Sequence, residues 1–185
     1  MDIESHAIER AFSLMVDNLS NIPDLVALVD IGHNQTTLYI AKNGEFIYSR
    51  EQLFGGAQLT EAIQNRYGLS AEEATISKRE RTLPDDYYPE VLTPFIENTI
   101  QQITRSLQFY FSSSQYSSID HVVLAGGSSS IAGLAGMAQQ RLGVPVTIAN
   151  PFINMTIAPH IDNEQLAIDA PSLMAACGLA LRSFD

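Results

Sequence analysis

The residues best placed to do chemistry are Asp30 with Gly32, and Gly126 with Gly127 and Ser128. The first pair ends the apolar run Leu25 to Ile31, and the second group follows Val122-Val123-Leu124-Ala125. A buried strand that ends in glycine lets backbone pass close to a ligand, with N–H groups facing outward and no Cβ in the way. Such a turn suits a phosphate. Gly32, His33 and Asn34 would turn their amides inward while Asp30 orients a magnesium-bound water. Gly126, Gly127 and Ser128 precede a helix expected from Ile131, whose unpaired amides and dipole favour a phosphate or ribose oxygen. Each feature also has a plainer reading: an Asx-turn for Asp30 and a tight strand-to-helix turn for the glycine pair.

Lys78 falls on a second candidate helix, from which it either reaches a ribose or adenine or lies along the surface in water. Gly55-Gly56 reads as structural, a crossing into a small subdomain. His6, His33, His121 and His160 do not fall at metal-ligand spacing, so no zinc site is indicated. No Gly-x-Ser-x-Gly elbow supports Ser-His-Asp hydrolysis.

These residues must be positioned by a single globular domain with a small inserted lobe, since 185 residues at 45% hydrophobic and 17% charged can bury a proper core. A net charge of −11 with scattered cations argues against nucleic acid and anionic membrane surfaces as partners. The one cysteine, Cys177, excludes an intramolecular disulfide and fits a reducing compartment. No run approaches the roughly 20 apolar residues of a membrane span, and no signal peptide is evident, so the cytoplasm is expected.

Helical spacing predicts a helix over 3–19 that starts almost at the first residue, as expected of a piece of a longer chain. A turn over 21–24 leads into strands at 25–31, 36–41 and 45–49, the last two joined by Asn43-Gly44. Helices follow at 57–67 and from a Ser70 cap to Arg81, then a linker over 84–89 and a long helix over 90–113. Beyond a polar loop come a strand at 121–124, a helix at 131–142, a strand at 144–148 and a last helix at 170–183. The order describes an α/β fold: a mixed five-stranded sheet, with an antiparallel three-strand meander and two parallel strands, flanked by helices as in ribonuclease H.

Taken in order, Asp30-Ile31-Gly32, Phe54-Gly55-Gly56 with Leu59-Thr60, Leu124-Ala125-Gly126-Gly127-Ser128 and Pro171 to Gly178 resemble the actin-like ATPase superfamily across the whole chain. The phrases Phe-Gly-Gly-Ala-Gln-Leu-Thr, Tyr-Gly-Leu-Ser-Ala-Glu-Glu-Ala and Leu-Pro-Asp-Asp-Tyr look closer still to the PilM family of type IV pilus assembly proteins, relatives of FtsA. The resemblance implies ATP or ADP with Mg²⁺ as ligands, held by Asp30, Gly32, His33, Lys78, Gly126, Gly127 and Ser128. It makes Glu4, at the start of a first connector helix over 1–20, the group near the reacting water, and residues 172–178 the second connector. Thr75 stands where the family tends to carry a glutamate, which weakens the ribose contact expected of Lys78.

Such proteins have two lobes with the nucleotide between them, and residues 1–185 match the second lobe: a core over 24–56 and 90–185 with an inserted helical subdomain over 57–89. The expected function is a nucleotide-dependent scaffold in the inner-membrane pilus platform, cytoplasmic and peripheral to that membrane, with slow hydrolysis at most. Its implied partners are a PilN-like membrane protein, whose tail would dock on the first lobe, and other pilus assembly proteins, with weak self-association of the isolated piece. The rivals are a small-molecule kinase of the same superfamily and a nucleotide-free scaffold.

Overall fold

The computed structural model describes residues 4–16, 19 and 24–182; Ile3, residues 17 and 18, the start of the turn at Asn21 and the expected helix end at Ser183 lie outside them. Helix α1 (Glu4–Val16) is followed by strands β1 (Leu25–Ile31), β2 (Thr36–Lys42) and β3 (Glu45–Gln52). Helices α2 (Gly56–Tyr67) and α3 (Ala71–Glu80) come next, then a π-helical turn (Tyr88–Leu92) leading into α4 (Thr93–Ser113). Strand β4 (His121–Ala125), helix α5 (Leu134–Leu142), strand β5 (Val146–Ile148) and helix α6 (Asn163–Asp169) precede a 3₁₀ turn (Ala170–Leu173) and helix α7 (Met174–Ala180).

The sheet order is β3-β2-β1-β4-β5, antiparallel across the first three strands and parallel from β1 to β4 and β4 to β5. This is the expected mixed α/β sheet. Its centre is buried on both faces, which is why β1 and β4 read as continuous apolar runs rather than as alternation. Ala27, Val29 and Ile31 face a cluster containing Ile96, Ile100, Ile103 and Leu134 from α4 and α5. Val26 and Leu28 face Ile8, Phe12, Met174 and Cys177 from α1 and α7. Leu59, Ile63 and Ala74 of the α2–α3 pair join the first cluster. His121 is a core histidine whose Nε2 meets Thr147 Oγ1 at 3.1 Å.

Helices α1 and α7 cross with almost no space between them. A Cβ added at Gly178 would overlap the Ala7 carbonyl, and Arg10 Nε donates to the Gly178 carbonyl at 3.1 Å. The close crossing thus fixes how α1, which carries Glu4, lies against α7.

Several boundaries differ from the sequence reading. Helix α5 starts at Leu134, not Ile131, because Gly133 takes a left-handed φ of 87° and residues 126–131 form successive tight turns. Strand β5 begins after Pro145, which has no N–H for the ladder. The expected linker before α4 is partly helical: the Thr93 N–H donates five residues back to Tyr88, beside Pro94, which has none to give. The expected helix over 170–183 opens as a 3₁₀ turn around Pro171, and α6, unforeseen, is capped by Asp162 accepting from Glu164 and Gln165.

Candidate functional site

The sequence order that makes β1 and β4 adjacent and parallel also brings their two glycine turns together at one end of the sheet. The turns are tied into one unit. Ser128 N–H donates to Ile31 O at 3.1 Å, Ser128 Oγ to Gly32 O at 3.3 Å, and Gly56 N–H to Gly32 O at 2.9 Å. Ala57 N–H donates to His33 O at 2.8 Å, and a Cβ at Gly55 would strike the Gly32 and His33 carbonyls. Gly55-Gly56 is therefore structural, as read, because two backbones meet there. At Gly126, with φ 83°, a Cβ would collide with Asp30 Oδ1 and the Ile31 carbonyl. Only glycine lets the β4 turn rest on the aspartate.

Below this crossing a cleft of about 460 Å³ opens beneath the start of α1, lined by Glu4, Asp30, Gly32, Gly126 and Gly127, with Pro171 and Ser172 on its far wall. Burial, reinforced by the Glu4 carboxylate, pushes the Asp30 carboxyl up to about 6. Tyr39 nearby is pushed up to about 12, by burial first and then by Asp30, Glu4 and Glu51. The cleft is thus an acidic pocket that favours a cation or a proton over a second negative charge.

Gln35, Thr37, Ser49 and Glu51 also line this cleft and escaped the sequence reading. Asp30 pairs with Thr37, and Thr37 pairs with Glu51, so the three stand in one row across β1, β2 and β3. A bulge between Ile40 and Ala41 shifts the β2–β3 register by one residue at Ile47. Counted from the Asn43-Gly44 turn without the bulge, Arg50 would fall in that row and Glu51 on the opposite face. The bulge leaves no signature in the residue pattern, so Glu51 was invisible.

Of the other expected site residues, His33 and Asn34 are exposed in the β1–β2 loop and are not among the residues lining the cleft. The Gly32 amide is taken by Gln35 O at 2.9 Å, so it closes the hairpin rather than pointing at a ligand. The Ser128 hydroxyl is likewise occupied as a tie between the turns. The dipole of α5 does not reach Gly126, Gly127 and Ser128 as expected, since the helix starts eight residues after Gly126. Any anion there would meet turn amides alone.

Lys78 does not share the cleft with Asp30. It lines a second cavity of about 290 Å³ beyond the glycine turns, between α3, the π-helical turn and Ser130-Ile131-Ala132. Its Nζ donates to Thr60 Oγ1 at 3.1 Å, and burial lowers the ammonium below its ordinary value. Ser130 lies three residues after Gly127, so the segment that follows β4 borders both cavities. Among the described residues no group of three His, Cys, Asp or Glu side chains could hold a metal, and no helix is long and apolar enough to cross a membrane.

Comparison with known proteins agrees with this architecture. A solved PilM–PilN type IV pilus biogenesis complex contains a chain 28% identical, superposing with a TM-score of 0.81 over 98% of this chain and 52% of that one. The ethanolamine utilization protein EutJ of Salmonella typhimurium is 28% identical over 75% of this chain and 47% of its own length. MreB5 of Spiroplasma citri, bound to AMPPNP, shares the fold at a TM-score of 0.60 and 14% identity, over 94% of this chain and 57% of that one. This chain thus spans about half the length of the proteins it matches. The sequence profile of type IV pilus assembly protein PilM matches residues 1–184, and the chain belongs to that family.

Proposed function

We propose that this chain is the second, nucleotide-facing lobe of an ATP-binding component of the type IV pilus inner-membrane assembly platform. The observation that carries the reading is the crossing of the two glycine turns, with an acidic cleft on one side and a lysine-lined cavity on the other. A nucleotide laid over Gly126 and Gly127 would place its phosphates toward Asp30 and its ribose toward Lys78.

Magnesium fits the donor set. Mg²⁺ keeps most of its waters and needs only one or two carboxylates beside the phosphates, and Asp30 offers one on the wall of the cleft, where Gly126 carries no Cβ to crowd it. When bound, the ion would neutralise phosphate charge and organise water. Asp30 would hold one of those waters, losing its proton as the cation draws its pKa down. Glu4, at the first turn of α1 and on the same cleft, would orient the water that faces the terminal phosphate. His33 and Asn34 would close over the phosphates from the loop above.

A nucleotide held between this lobe and a first lobe would stabilise the closed arrangement through contacts made only there, and so change the surface offered to partners. The protein would sit in the cytoplasm against the inner membrane, held by the tail of a PilN-like protein on the first lobe. The solved PilM–PilN complex supports that partner. Hydrolysis would be slow, and this lobe alone would neither hydrolyse ATP nor bind the tail.

The test is titration calorimetry of ATP with magnesium against this chain and against the chain extended by about 170 upstream residues, a typical domain length. Binding by the extended protein alone is the expected result. Absence of binding by either would reduce the glycine turns to architecture and leave a nucleotide-free scaffold.

A further inference from the structure

Among the described residues, three helices end in a left-handed residue. Gly68 closes α2 at φ 66° and Gly143 closes α5 at φ 71°, as expected where the backbone must turn without a Cβ. Helix α3 closes instead on Arg81, at φ 58°, with its N–H donating to Ser77 O and the Thr82 N–H donating to Ser77 O at 3.0 Å. Glycine would make this turn more easily, so the backbone alone does not account for an arginine at this position.

The side chain has a place to act. Arg81 lines the same 290 Å³ cavity as Lys78, with Leu83, Tyr87 and Ile131 as apolar walls. Among the described residues no acidic side chain lines that cavity, although the chain carries 21 acidic against ten basic residues. The wall opposite α3 is fixed: Asp86 accepts from Arg66 Nη2 at 2.7 Å and from Tyr67 Oη at 2.9 Å, which clamps the segment carrying Tyr87 onto α2. An exposed guanidinium at the rim of a preformed apolar slot is suited to stack on a flat ring entering it, leaving its N–H groups in water.

We propose that Arg81 is a further binding residue that covers the purine base of the bound nucleotide, closing the cavity beside Lys78. The inference rests on the nucleotide reading above and adds a base contact to it. It predicts that the base end contributes to affinity through a plane of charge rather than through a fixed hydrogen-bond pattern.

The test compares the full two-lobe protein with its Arg81→Gly variant, titrating MgATP and, separately, magnesium tripolyphosphate, which has no base. Glycine preserves the left-handed turn, so the unliganded variant should melt at or above the parent temperature. Arg81→Asn, which also tolerates the turn, guards against added backbone freedom. The expected result is a roughly tenfold loss of ATP affinity in both variants with tripolyphosphate binding unchanged. Unchanged ATP affinity in the variants, or an equal loss for both ligands, would overturn the role of Arg81 while leaving the nucleotide reading intact. Failure of the parent to bind either ligand would overturn both.

Discussion

The cleft under α1 and the cavity beside α3 lie on either side of the same pair of glycine turns, yet they are made from opposite materials. Among the described residues, the cleft gathers Glu4, Asp30 and Glu51 without a lysine or arginine, whereas the cavity gathers Lys78, Arg81 and Tyr87 without an acid. Their scaffolds differ as well. The cleft is framed by strand ends and by the tight α1–α7 crossing, where a single methyl group has no room. The cavity is framed by α3, whose only buried side chain is Ala74, and by an irregular turn. A rigid acidic end suits a cation and phosphates, and an apolar slot rimmed by cations suits a base.

The comparison breaks most sharply at α1–α7. Gly178→Val should destabilise the chain by more than about 3 kcal/mol, because both backbones must separate. Urea denaturation would show it, and the cleft should lose Glu4 while the α3 cavity is untouched. Next comes Gly126→Ala, which combines a left-handed φ with a clash against Asp30 and should cost about 2 kcal/mol. Its neighbour supplies the control. A Cβ at Gly127 meets nothing within 4 Å, so Gly127→Ala should melt close to the parent temperature.

Asp30 sharpens the contrast through pH. Its carboxyl titrates near 6 in the folded chain against 3.8 for the ordinary group, so the folded state holds the proton longer. Stability should be greatest below pH 4 as far as this group is concerned, fall between about pH 4 and 6, and level off above, a loss of at most about 3 kcal/mol. Asp30→Asn should remove that slope and stabilise the unliganded chain at pH 8 while weakening MgATP binding in the two-lobe protein. Thermal melts across pH check the first part and calorimetry the second. A variant with an unaltered slope would mean that Asp30 is not the titrating group.

The smallest effect belongs to Lys78→Met. Its ammonium has a single hydrogen bond, to Thr60, so stability should change by less than about 1 kcal/mol. ATP affinity should still fall several-fold, measured by titration. Equal losses in stability and binding would make Lys78 a structural residue.

Much of this organisation was legible in the residues. Apolar runs ending in Asp30-Ile31-Gly32 and Gly126-Gly127 announced the buried strands and their turns, and Asn43-Gly44 announced the hairpin. What stayed hidden depended on geometry that leaves no trace in composition. The bulge at Ile47 decides that Glu51 rather than Arg50 faces Asp30. Gly133 delays α5, and that removed the helix dipole from the site. The division of the site into two cavities, with Lys78 outside Asp30's cleft, follows from how α3 packs and not from any motif. Arg81 carried a readable signal, a cation where a helix end would ordinarily take glycine, but it acquires meaning only beside the cavity.

One nucleotide bridging both cavities over the glycine turns would leave its mark in hydrogen–deuterium exchange of the two-lobe protein with and without MgATP. Slowed exchange is expected in the segments around 32–35 and 126–131 together with 78–92. Protection limited to one side of the glycine turns, or absent from all three segments at saturating MgATP, would contradict it.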